Sequence, residues 1–174
     1  MPHGWLSLLS PATHIAAAGL LLFAALHDIV ARTVPNGIAV WLALMGLIAC
    51  IVDNNLLIGS TAAVIVFAIA AFCWRRGWLG GADVKLMGAS VLAVPSGRTL
   101  AFVVAMSVAG SILAALYLAA GAIVRRRPRP ARQTTVHRAD LATRAIRAEL
   151  WRLRRGGPLP YACAIAAGFL FVQF

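Results

Sequence analysis

Two aspartates stand apart in a chain with only five acidic residues, Asp28, Asp53, Asp83, Asp140 and Glu149. Asp28 lies near the end of a long apolar run and opens the stretch Asp28-Ile29-Val30-Ala31-Arg32-Thr33-Val34-Pro35-Asn36. Asp83 follows Gly80-Gly81-Ala82 and leads through Val84-Lys85-Leu86 into another apolar run. Ionisable groups beside such segments are costly and are usually retained for a pathway, a partner or a reaction. Two carboxylates brought to one depth cannot both ionise easily, so they titrate as a coupled pair and share one proton over an intermediate pH range. The ionised member can draw a proton from water as the water attacks a carbonyl carbon, while the protonated member donates to the carbonyl oxygen. That chemistry calls for no metal and no cofactor.

Plainer readings stand beside this one. Asp28 can pair with Arg32 four residues on, and Asp83 can cap a helix beginning at Val84. Asp53 is expected to face the opposite side, alone. Asp140 and Glu149 have helix-spaced cations such as Arg144 and Arg152 and do not look like active-site carboxylates. His27 adjoins Asp28, but adjacent positions on a helix point apart. Cys50, Cys73 and Cys163 lie singly within apolar runs, without the paired spacing that holds zinc, and read as small packing residues.

The elements that must carry the two aspartates are apolar runs. Hydrophobic residues make up 61% of the chain against 12% charged, a balance that excludes a soluble domain. A bilayer core of about 30 Å requires roughly 20 helical residues. Thr13 to Val30, Gly37 to Val52, Leu56 to Trp74, Val84 to Val94, Thr99 to Val124 and Pro158 to Phe174 approach or pass that length, or can be extended to it. The fourth run is short and is expected to start nearer Trp78. The prediction is an all-α polytopic membrane protein with six transmembrane helices in a single domain spanning residues 1–174. Trp residues close to the ends of several runs fit interfacial anchors.

Charge orients this arrangement. With alternating crossings, Arg32, Arg75, Arg76, Lys85 and the eleven arginines from Arg125 to Arg155 share one side, and Arg98 alone falls on the other. That is the positive-inside pattern of a bacterial inner-membrane protein. It places both termini outside the cytoplasm and both aspartates at the cytoplasmic face. A cleaved signal peptide is not expected, because no basic residue precedes the first run. Residues 125–157 form a basic cytoplasmic loop, broken at Pro128 and Pro130, in which Asp140 to Arg155 can make an interfacial helix. The formal net charge of +11 is therefore assigned to anionic lipid headgroups and not to nucleic acid.

The two motifs, in this order, resemble those of the type IV prepilin peptidases and preflagellin peptidases. These are membrane aspartic proteases whose first aspartate precedes an Arg-x-x-Pro-Asn stretch and whose second lies in Gly-x-Gly-Asp. The resemblance covers nearly the whole chain, and the Pro160-Tyr161 start of the last run shares it. It implies that Asp28 and Asp83 are the catalytic pair, that Arg32, Pro35 and Asn36 shape the first loop, and that Gly80, Gly81 and Lys85 shape the second. Ala82 replaces the usual third glycine. The amino-terminal insertion with paired cysteines found in longer, methylating members is missing. The size resembles the short peptidases of tight-adherence (Flp) pilus systems, which implies cleavage of a prepilin leader without methylation. Two rivals remain at this level: a proton-coupled transporter or channel subunit using the same aspartates, and a non-catalytic assembly protein of a pilus or secretion machine. The sequence specifies no oligomeric state.

Overall fold

The computed structural model describes residues 6–126 and 159–173, and all regular structure among them is helical. Six α-helices follow in order: α1 (Leu6–Ala31), α2 (Asn36–Val52), α3 (Leu56–Arg75), α4 (Gly81–Leu92), α5 (Thr99–Arg126) and α6 (Tyr161–Gln173). A single 3-10 turn, Ser96–Arg98, leads into α5. Each of the six apolar runs coincides with one helix. Three segments, Leu9–Ala31, Leu56–Arg75 and Thr99–Val124, are long and apolar enough to cross a membrane, and Asn36–Val52 and Tyr161–Gln173 are shorter apolar helices. The proposed interfacial helix, with most of the basic loop, lies outside the described residues.

The chain divides into two compact units, Met1–Gly110 with Pro160–Phe174, and Ser111–Leu159. Among the described residues the second unit consists of the later part of α5, with Leu116, Leu118 and Ile123 exposed on its surface, and of Leu159. Both aspartate motifs and α6 belong to the first unit.

Chain reversals are written into the helix ends. α3 stops through Gly77 at φ +77°, where Gly77 N–H donates to the Trp74 carbonyl at 2.8 Å and Trp78 N–H to the Cys73 carbonyl at 3.0 Å. α2 stops in the same way through Asn54 at φ +53°, with Asn55 N–H donating to the Cys50 carbonyl at 2.9 Å. Both are left-handed caps that satisfy carbonyls of the last turn. Trp78 therefore sits in a turn, 71% exposed, and the fourth helix starts at Gly81 and not near Trp78.

That fourth helix is the middle of the unit. It packs against α2, α3 and α6, while α1 packs against α2 and α6. Val84, Leu86, Met87, Gly88, Ala89, Ser90 and Val91 of α4 are all buried. Its 12 residues span about 18 Å, well under the hydrocarbon thickness of about 30 Å. Missing side chains allow close approach around it: a Cβ on Gly46 of α2 would lie 2.6 Å from Leu92 Cβ and 2.7 Å from Ala93 N. On the far side of α6, Phe102 meets Phe169 edge to face at 6.5 Å between ring centres.

The carbonyls at the end of α4 are taken up by side chains from three other helices. His14 of α1 and Gln173 Nε2 of α6 reach the Ala93 carbonyl at 2.9 and 3.0 Å, and Cys50 Sγ of α2 donates to the Leu92 carbonyl at 3.2 Å. His14 Nδ1 also lies 3.0 Å from Gln173 Nε2, and His14 Nε2 faces Asp53 Oδ2 at 4.0 Å, so Asp53, expected alone, has an imidazole beside it. The two groups border a cavity of about 230 Å³ that also takes in Cys50, Asn55 and Pro95.

The core is apolar with a few polar residues in it, and much of the exterior is apolar too, unlike that of a water-soluble protein. Thr13, Asp28 and Ser90 are buried, whereas Leu22, Phe23 and Leu26 of α1, Val40, Trp41 and Leu44 of α2, and Val64, Ile65 and Ile69 of α3 are exposed. Apolar surface of that extent requires a lipid surround.

Candidate active site

The two aspartates arrive from helices that run in opposite directions. α1 carries Asp28 in its last turn, and α4 carries Asp83 in its first. Their carboxylates lie within electrostatic reach of each other although 55 residues separate them in sequence. Asp28 is 7% exposed, and Asp83 is only partly buried. One carboxylate is thus shielded and the other meets the surface, as a pair acting on a substrate from outside requires.

Asp28 is held from two directions. Its own carbonyl accepts the N–H of Arg32 at 2.9 Å, which closes α1 with Arg32 at φ +56°. A non-glycine residue in that conformation costs on the order of 1 kcal/mol, so the turn is held by its surroundings. Below it, His27 Nδ1 bonds to the Thr33 carbonyl and folds the loop back on the helix. From the other side the N–H of Ala162, in the first turn of α6, donates to Asp28 Oδ2 at 3.4 Å.

Asp83 is held by its own helix. Gly80 stands at the N-cap of α4, and the Asp83 carboxylate, three residues on, accepts the Gly80 N–H. This is one half of a capping box, the acidic side chain reaching back to the cap. It differs from the expected cap of a helix starting at Val84: the helix starts earlier, and Asp83 sits inside its first turn. A Cβ on Gly80 would lie 2.8 Å from Asp83 Oδ2, so any side chain there contests the carboxylate's position. Gly81 is packed under Trp74, whose Nε1 would be 3.3 Å from an added Cβ. Ala82 lies in the same helical turn, and positive φ among non-glycine residues is confined to Arg32 and Asn54 among the described residues. The alanine in place of glycine therefore introduces no backbone strain.

The two motifs are joined directly. Lys85 Nζ of α4 donates to Asn36 Oδ1 at the start of α2, at 2.8 Å, and Pro35 supplies the residue before that helix. Beside this link, Asn36, Ala39, Val40 and Ala43 of α2, Phe67 of α3, and Lys85, Ala89 and Leu92 of α4 line an open apolar groove of about 400 Å³. Of the eight residues singled out in the sequence, Asp28 with Asp83, Gly80 with Asp83, and Asn36 with Lys85 are brought together. Arg32 contributes its backbone to the turn below Asp28, while Pro35 and Gly81 shape helix starts. Among the described residues no three His, Cys, Asp or Glu side chains are grouped as a metal site.

α6 supplies what motif reading missed. Besides Ala162 N–H on Asp28, the Tyr161 hydroxyl lies within electrostatic reach of Asp83. The Pro160-Tyr161 pair was visible in the sequence, but nothing in its spacing indicated contact with residues some 80 and 130 positions away. Such contacts depend on which helices become neighbours.

With this geometry in view, comparison with known families is decisive. A family model described as the type IV leader peptidase family, Peptidase_A24, matches residues 15–115. The chain belongs to the type IV leader peptidase family. The matched stretch carries both aspartate motifs, most of α1 and all of α4, and ends before α6. Membership makes this chain a leader peptidase in a membrane setting, and proteolysis is the activity its site has to support. No curated protein and no solved structure matches the chain.

Proposed function

We propose that this leader peptidase is an aspartic endopeptidase that removes the short cytoplasmic leader from type IV prepilins of the Flp kind. The observation that carries the reading is the meeting of Asp28 and Asp83, one buried and one partly open, from two helices remote in sequence. One carboxylate accepts the proton of the attacking water and later passes it to the leaving amine, and the other protonates the carbonyl oxygen and regains a proton when the intermediate collapses. The Gly80 N–H fixes one carboxylate and the Ala162 N–H the other.

In the same reading all six helices cross the inner membrane, with both termini outside and the dyad at the cytoplasmic face. Arg32, Arg75, Arg76 and Lys85 flank helix ends on the aspartate side, whereas Arg98 lies at the opposite end of α6, donating to the Val172 carbonyl at 2.6 Å. That distribution supports the orientation through the positive-inside rule. The substrate's apolar helix stays in the bilayer and its scissile bond unwinds at the dyad, since a helical carbonyl is shielded from water. Partners are then the prepilin and anionic headgroups at the basic loop, with no nucleic acid and no cofactor, and the new amino terminus is left unmethylated.

Co-expression with a prepilin, followed by gel shift and amino-terminal sequencing of the product, tests the reading. Asp28→Asn and Asp83→Asn should each insert normally and leave the precursor uncut. Unchanged cleavage by either variant would refute the dyad. Ion flux in vesicles that depends on the same residues, without cleavage, would favour the transporter.

A further inference from the structure

Tyr161 is the first residue of α6, and three observations converge on its side chain. The next residue, Ala162, places its N–H on Asp28 Oδ2 at 3.4 Å, so this end of α6 is seated against the dyad. The phenol lies within electrostatic reach of Asp83. Its ring is packed onto Gly110 of α5, where an added Cβ would lie 2.9 Å from Tyr161 Cε2 and 3.2 Å from the hydroxyl oxygen. The ring is only half-buried, and among the described residues no group takes up the hydroxyl's hydrogen bond. A ring held in this way beside the two carboxylates is placed to meet a group of the substrate that they act on.

We propose that the Tyr161 hydroxyl is a third catalytic group, which donates a hydrogen bond to the oxygen of the scissile carbonyl as that oxygen gains charge. The inference rests on the aspartic peptidase reading. Asp28, against the N–H groups opening α6, is the carboxylate kept ionised, and Asp83 carries the shared proton. Water attacks the carbonyl carbon and gives one proton to Asp28; the carbonyl oxygen receives the proton of Asp83, and a neutral gem-diol forms. Collapse breaks the C–N bond: the nitrogen takes the proton held by Asp28, a diol hydroxyl returns its proton to Asp83, and acid and amine products leave. Tyr161 transfers no proton in this cycle. Its hydrogen bond shortens as the oxygen becomes more basic, so it acts on the transition state more than on bound substrate.

The test uses the full-length protein in detergent or nanodiscs with a synthetic peptide containing a prepilin leader junction. Tyr161→Phe removes only the hydroxyl; kcat should fall about 100-fold, as for the loss of one oxyanion donor, with KM within about twofold and an unchanged melting temperature. Gly110→Ala pushes the ring without altering its chemistry and should lower kcat in the same direction. A Tyr161→Phe enzyme with kcat close to the parent's, or one whose loss appears in KM or in melting temperature instead, overturns the proposal. Asp28→Asn and Asp83→Asn in the same assay separate the two levels. If both are inactive while Tyr161→Phe is unaffected, Tyr161 alone is excluded; if both cleave normally, the dyad fails and this inference with it.

Discussion

At the scale of single residues, the site depends on what is missing as much as on what is present. Gly80 lacks a side chain where one would stand 2.8 Å from Asp83 Oδ2. Gly80→Ala should therefore insert and fold but lower turnover by about tenfold or more, because displacement of a catalytic group by about 1 Å is expensive. Gly81→Ala, which asks only Trp74 to shift slightly, should be milder; equal losses in a peptide-cleavage assay would disprove this explanation. Arg32 is the opposite case, a large residue where glycine is easier. Arg32→Gly should keep the left-handed turn beneath Asp28, whereas Arg32→Ala keeps the strain of φ +56° without the guanidinium. Thermal unfolding in detergent should find the glycine variant more stable than the alanine variant, by about 1 kcal/mol. The motif residues themselves were legible from type and spacing. What the spacing could not convey is the direction of support: Asp83 is held by the cap of its own helix, while Asp28 is held by a helix that begins more than 130 residues later.

At the scale of elements, the apolar runs foretold all six helices, because a run of that length in lipid has no other way to satisfy its backbone. They did not foretell where α4 begins. Gly80-Gly81 reads as a turn, yet the helix starts inside it, with the Asp83 carboxylate reaching back to the Gly80 N–H. Nor did they reveal how α4 ends, since the His14, Cys50 and Gln173 contacts link positions 42 to 80 residues apart. Those contacts predict a stability effect remote from the chemistry. His14→Leu and Gln173→Leu each remove one polar partner of the Ala93 carbonyl, and the double variant, which removes both, should cost about 1–3 kcal/mol. The double variant should cost more than either single one, because each remaining partner partly covers for the other. Additive small effects in a melting-temperature series would show that α4 is not held in this way.

At the scale of the whole molecule, the apolar exterior identifies lipid as the surrounding medium, and the proposed orientation, with the basic residues of the aspartate end in the cytoplasm, can be read by labelling. In a background lacking the three native cysteines, Gly97→Cys should react with a membrane-impermeant maleimide on spheroplasts, and Arg76→Cys should react only after the membrane is opened. The converse labelling would invert the proposed topology. Gly97 and Arg76 are both exposed, so labelling reports the side and not burial. The brevity of α4 carries a further consequence, for biogenesis. Twelve residues that include Asp83, Lys85 and Ser90 are a poor stop for a translocon, which retains segments by length and apolarity. In the proposed six-crossing arrangement α4 is held in the bilayer by α2 and α3, which precede it in the chain, and by α6, which follows it. The setting of Asp28, which includes the Ala162 N–H, is therefore complete only after α6 has been synthesised and has closed against α1.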